Sequence, residues 1–289
     1  MLEAELRSIN GTWKYNKLEI HPLLLNKPLI NDNGIFKYQL SDEESDHIMS
    51  ALYPIYQGQL RPIIIKKCMM LTVNLPKYNK TRQETLELLS EYKLPPVEIY
   101  YGHTPETIKT SKFYNCLTSL QYRPTLTLGM LEIFDKFVNE SEEDEWMLYM
   151  EDDVRVINVD KHDDLTKLCV PSDAELIRPY IGKNEPCHLD QLQYRVSSDG
   201  GLNHAIYVSV SACKKILHYA KTYKWKYVCD IDLYKLSSHG GLFPTGYDAW
   251  GLYSCNGKND ITGTLKEHEK IKMYHLSHCI FNQTSLPCC

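Results

Sequence analysis

The sequence predicts an α/β protein, with a mostly parallel mixed sheet carrying helices on both faces, preceded by a small N-terminal α+β appendage. Three observations carry this. Apolar runs such as Cys68–Leu75 (CMMLTVNL) and Trp146–Met150 (WMLYM) are too continuous for strands that face water on one side. Helix-period segments lie between them, and strands alternating with helices imply parallel pairing. Residues 1–62 lack this alternation, so the expected division is 1–62 as the appendage and 63–289 as the main domain.

Within the appendage, short β-like patterns around Gly11–Ile20 and Gly34–Leu40 flank the turn signal Asn31-Asp32-Asn33-Gly34. Ser41-Asp42-Glu43-Glu44 reads as a capping box opening a helix that ends before Pro54. In the main domain, Cys68–Leu75 is the first strand. Thr81-Arg82-Gln83-Glu84 reads as a second capping box, ahead of Leu86, Leu88 and Leu89, and Pro95-Pro96 ends that helix. Val97–Tyr101 is the next strand. Pro124 suits a first helical position before Leu126, Met130, Ile133, Phe134 and Phe137 at helical spacing. Trp146–Met150 follows, then His204–Val208 as a strand, Ser211–Tyr223 as a helix, and Lys272–Leu276 as a last strand.

Composition narrows the function. The 289 residues carry a formal net charge of −5, which gives no support to a nucleic-acid partner. No stretch reaches the roughly 18–20 apolar residues of a membrane span, and Met1–Gly11 has no signal-like apolar core. A cytoplasmic protein is expected, or one of the host cytoplasm if the Lys-, Asn- and Ile-rich composition reflects a virus. The ten cysteines are scattered without a CxxC pair, consistent with free thiols.

The most informative residues are Glu151, Asp152 and Asp153, directly after the Trp146–Met150 strand. In parallel sheets, ligands bind beyond the carboxyl ends of the strands. Two carboxylates about 4 Å apart repel by about 4 kcal/mol at an effective dielectric near 20. Such a cluster suits a hard divalent cation, Mn²⁺ or Mg²⁺, whose remaining ligands a diphosphate can supply. A solvated acidic turn is the plainer alternative.

Trp146–Val154 (WMLYMEDDV) resembles the strand-then-EDDV motif of glycosyltransferase family 25, which includes lipopolysaccharide and collagen galactosyltransferases. Val73-Asn74-Leu75 followed by Arg82 resembles that family's opening block. Pro124–Val138 resembles the helix before its acidic motif, and Asn203–Leu217 its later strand and helix. Asp230-Ile231-Asp232-Leu233 resembles its "VD" segment. The likeness covers residues 68–245. The family's Ser-His pair is replaced here by Leu128-Gly129, and Pro76-Lys77-Tyr78-Asn79 stands where Arg and Asp are usual.

The resemblance implies a GT-A-like fold, a UDP-sugar donor, a glycan or protein hydroxyl acceptor, and inversion at the anomeric carbon. Asp153 is then the direct metal ligand, with Glu151 as a further ligand or, like Asp152, a holder of ribose, sugar or metal-bound water. Val73, Asn74, Leu75 and Arg82 are expected at the nucleotide, Asn74 against uracil or ribose and Arg82 against the diphosphate. Asp232, then Asp230, is the expected general base; either is equally explained as a helix-start acid. His275 or His278 would complete the metal shell, although a satisfied structural histidine explains each as well. Two rivals stay open. A catalytically silent binding module keeps the acids without turnover, and a nucleotidyltransferase would call for a Gly-rich phosphate loop that residues 68–80 lack.

Overall fold

The computed structural model describes residues 2–8, 10–18, 26, 28–32, 35–38, 55–118, 124–179, 185–196, 204–225, 233, 236–237 and 265–283. By contacts the chain divides into two compact units, residues 1–54 with 240–264, and residues 55–239 with 265–289. In the first unit, β1 (Leu2–Arg7) pairs antiparallel with β2 (Trp13–Leu18), and Gly11 in their connection takes φ +83, which a residue with a side chain rarely adopts. There β3 (Leu29–Asp32) pairs antiparallel with β4 (Ile35–Tyr38), with Asp32 opposite Ile35; Asn33 and Gly34 of the expected turn lie outside the described residues. The expected helix over residues 41–53 lies outside the described residues.

The second unit opens with β5 (Leu60–Val73), so the boundary expected at residue 62 falls inside a strand. The burial of β5 changes along its length. Between Leu60 and Ile65 the buried positions alternate with exposed ones, where it pairs antiparallel with β9 (Lys167–Pro171). From Cys68 to Thr72 every residue is buried, because helices cover both faces there. Between these halves Ile65 and Lys67 pair with the consecutive residues Trp146 and Met147, so Lys66 is a bulge.

The chain then forms α1 (Pro76–Leu89), β6 (Val97–Gly102), α2 (Pro124–Glu140), β7 (Trp146–Glu151) and β8 (Val154–Val156). Beyond β9 come β10 (Leu176–Arg178), β11 (Tyr194–Val196), β12 (Ala205–Ser209), α3 (Val210–Tyr223), β13 (Met273–Leu276) and β14 (Phe281–Gln283). The main sheet runs β11-β13-β10-β12-β7-β5-β6, with β9 also on β5. Pairing makes β6, β5, β7, β10 and β13 share one direction, while β12, β11 and β9 run against it. The architecture is thus α/β with a mixed, mostly parallel sheet.

Alternation along the strands separates two faces. Cys68, Met70, Leu148 and Met150 pack with Leu86 and Leu89 of α1. On the other face Leu71 meets Gly129 of α2, and the Tyr149 ring stacks edge-on against Phe134 of α2 at 5.6 Å. Helix α1 starts at Pro76, five residues before the capping box at Thr81. Proline fills the first helical position because it lacks the N–H that would otherwise go unpaired there. Helix α2 starts at Pro124 and buries Met130, Ile133, Phe134 and Phe137 as its spacing required. Helix α3 is capped by Ser209, whose Oγ accepts from the Ala212 N–H at 3.1 Å. Among the described residues no helix is long and apolar enough to cross a membrane.

Candidate functional site

Glu151 ends β7 at the carboxyl edge of the sheet, and Asp152 and Asp153 form the turn into β8. The five residues before Glu151 are buried, and all three acids are half-buried. The Glu151 N–H donates to the His204 carbonyl at 2.8 Å, which fixes where β7 ends against β12. Asp152 is held twice. Its carboxylate accepts from the Thr72 hydroxyl of β5, and its carbonyl accepts from the Thr85 hydroxyl of α1 at 2.8 Å.

Arg82 joins the same network from α1. Its Nη1 donates to Thr72 Oγ1 at 3.3 Å, its Nη2 donates to Asn79 Oδ1 at 2.8 Å, and its guanidinium lies 5.4 Å from the centre of the Tyr101 ring. Val73 ends β5, and Asn74 and Leu75 link it to α1, with Asn74 exposed. The structure therefore gathers Glu151, Asp152, Asp153, Arg82 and residues 73–75 at neighbouring strand ends. The amino end of α1, with its partial positive charge, opens beside them.

Other expected residues are not gathered there. His275 lies on β13, three strands across from β7. Standard strand spacings put its Cα about 16 Å from that of Glu151, beyond what two side chains can bridge through one ion. It is also paired in register with Arg178 and Arg195. Burial, with those two guanidiniums adding to it, lowers its pKa to about 3, and two cations beside a ring repel a third. The expected role of His275 as a metal ligand beside the acids does not fit this geometry. His278 has both ring nitrogens engaged, Nδ1 at 3.0 Å from Ser277 Oγ and Nε2 at 3.4 Å from Glu185. Asp230 and Asp232 lie outside the described residues. Among the described residues, no group of three or more His, Cys, Asp or Glu side chains is arranged to hold a metal ion.

The aromatic side chains differ in exposure. Trp146 and Trp225 are core residues at 1% and 0% exposure, whereas Tyr101 is 51% exposed under Arg82. The Tyr100 hydroxyl donates to Glu132 at 2.8 Å, and the same carboxylate is met by His103 Nε2 at 3.0 Å and the Ser111 hydroxyl at 2.6 Å. Burial raises the Glu132 pKa, but Ser111, His103 and Tyr100 outweigh it and hold the group below the usual carboxylate range. His204, buried beside the acids' strand, has its pKa lowered to about 4 by burial, with a backbone hydrogen bond to Phe281 opposing.

Sequence reasoning missed Thr72 and Thr85. Thr72 had a visible signal, a hydroxyl inside an otherwise apolar strand run; Thr85 had none, because a helix threonine is ordinary until a partner appears. It also missed Arg178, at the carboxyl end of β10.

A cleft of about 380 Å³ lies at the opposite edge of the sheet, lined by Arg61, Trp146, Asp173, Glu175, Lys215 and Lys272. Its central carboxylate, Glu175, accepts from Ser211 at 2.6 Å, Lys215 at 2.7 Å and the Lys272 N–H at 3.0 Å. That set is internally satisfied, and the acidic edge is the better candidate on chemistry. No protein-family model matches the chain, and no curated protein matches it either.

Proposed function

We propose that the chain is a metal-dependent glycosyltransferase with a GT-A-like fold, moving a sugar, galactose or glucose first, from a UDP-sugar to a hydroxyl acceptor with inversion. The observation that carries the proposal is the acidic edge itself. Glu151, Asp152 and Asp153 follow a buried central strand, Asp152 is tied down by Thr72 and Thr85, and Arg82 reaches the same threonine. Hard carboxylate oxygens beside a guanidinium and a helix amino end are the donor set that a divalent cation and a diphosphate together require.

In this reading Asp153 and Glu151 hold Mn²⁺ or Mg²⁺, and Asp152 orients the donor from its fixed position. Arg82 pairs with a diphosphate oxygen, and Asn74 meets the uracil or ribose. The ion, when bound, offsets charge on the departing diphosphate as a Lewis acid. Asp232 takes the proton from the acceptor hydroxyl, with Asp230 second.

The test is calorimetric titration of UDP with and without Mn²⁺. Asp153→Ala should keep its circular dichroism spectrum and lose the Mn²⁺-dependent binding. Unchanged binding in that variant removes the metal assignment. Asp232→Asn should bind UDP and fail to transfer from UDP-galactose and UDP-glucose; transfer at the wild-type rate removes Asp232 as base. Wild-type binding without any turnover would mark the chain as a silent binding module.

A further inference from the structure

Arg178 is the last residue of β10 and is 0% exposed. Its Nε, Nη1 and Nη2 are all buried, and none has a hydrogen-bond partner among the described residues. A guanidinium carries five N–H donors and stays charged at any pH a protein survives. Desolvating one without an acceptor is among the least favourable arrangements in a protein interior, so buried arginines pair with an anion.

Its register partners on the neighbouring strands are not acids. Arg178 is in register with His275 on β13, which is in register with Arg195 on β11. Register partners project to the same side of a sheet, so the three lie in one row across neighbouring strands. Alternation along β7, β12 and β10 puts Arg178 on the same face as Glu151. The two Cα atoms are about 12 Å apart, by two strand spacings across and two residues along. Both lie at the carboxyl edge of parallel strands, where substrates enter such sheets.

We propose that Arg178 is the recognition point for an oxyanion, a phosphate or a carboxylate group, brought to this edge as part of a substrate. A planar fork with three buried nitrogens suits bidentate pairing with such a group. This inference does not depend on the metal or on sugar transfer, and its test is run in EDTA so that the two readings fail separately.

The full chain is titrated with inorganic phosphate, with acetate and with UDP, chloride matching the ionic strength throughout, and thermal unfolding is followed. Wild type should gain melting temperature saturably with at least one of the three. Arg178→Met, which replaces a buried charge by an apolar chain of similar length, should melt no lower than wild type and lose that gain. Arg178→Lys, keeping charge without the fork, should weaken the response tenfold or more. A dominant response to UDP, lost in Arg178→Met, assigns the oxyanion to the nucleotide; a response to phosphate or acetate alone assigns it to the other substrate. The proposal is overturned if wild type responds to none of them, or if Arg178→Met responds like wild type. It is also overturned if both variants unfold, since Arg178 is then a structural partner within the chain.

Discussion

The Thr85 hydroxyl of α1 donates to the Asp152 carbonyl at 2.8 Å, while the Thr72 hydroxyl of β5 donates to the carboxylate of the same residue. Two consecutive elements, β5 and α1, thereby fix an acid that lies 80 and 67 residues further along the chain, just after β7. Thr85 is fully buried and Thr72 nearly so, so neither hydroxyl has water as a substitute partner.

Thr85→Val keeps the side-chain shape and removes the donor, leaving a carbonyl short of its partner. It should cost about 1–2 kcal/mol in urea unfolding. Thr72→Val should cost a similar amount and also weaken Mn²⁺-dependent UDP binding by roughly tenfold, because the donor-orienting Asp152 carboxylate and the Arg82 guanidinium both lose the hydroxyl that holds them. UDP affinity unaltered in Thr72→Val would disconnect Thr72 from the proposed site.

Gly129 allows α2 to sit on β5. A methyl group added there would come within 2.5 Å of Leu71 Cδ1 and 3.0 Å of its Cδ2. Overpacking of this kind costs about 1–3 kcal/mol, partly offset by the roughly 1 kcal/mol that alanine gains over glycine in a helix. Gly129→Ala should therefore lose about 1 kcal/mol, and adding Leu71→Val should restore part of it through non-additivity. A single variant as stable as wild type would mean that Leu71 swings aside freely.

Acid should destabilise the protein first through its buried histidines. His204 and His275 have folded-state pKa values lowered to about 4 and about 3, mainly by burial. The unfolded chain binds these protons near pH 6.5 and the folded chain does not. Stability is thus intact above pH 6.5 and falls as pH drops from there toward 4, by up to about 1.4 kcal/mol per pH unit per histidine. His204→Gln should flatten that slope in denaturation series between pH 6.5 and 5. A slope identical to wild type would show that His204 takes up its proton without unfolding.

Glu132 provides a second pH signature in a lower window. Its folded pKa is held below the ordinary value of 4.5, so its contribution is present above that pH and is lost as pH falls through the folded value. Glu132→Gln cannot satisfy Tyr100, His103 and Ser111 together and should cost about 1–3 kcal/mol at pH 7. The variant should also lack the wild-type stability loss at low pH; the same acid profile in both proteins would rule this network out as its source.

Strands and helices with strong periodic signals were legible residue by residue. The Trp146–Met150 run, the Pro124 helix start and the Ser211–Tyr223 helix all appear within a residue or two of their expected limits. The misplaced start of α1 has a local cause. Thr81-Glu84 matched a capping pattern, but Pro76 five residues earlier satisfied the helix start at no hydrogen-bonding cost. The strand that crosses residue 62 was obscured because only its second half is buried on both faces, so the apolar run begins late.

What the sequence determined by itself was the alternation of strands and helices and the position of three acids at a strand's carboxyl end, since both follow from nearest-neighbour pattern and side-chain period. The tertiary structure decided which groups meet. It ran β12 antiparallel beside β7, brought Thr72, Thr85 and Arg82 to Asp152, and set His275 between Arg178 and Arg195 three strands away from the acids. The reason is physical. Periodicity reports how much of a residue is buried, whereas a hydrogen bond or a charge contact depends on strand order and register, which arise only when distant segments pair.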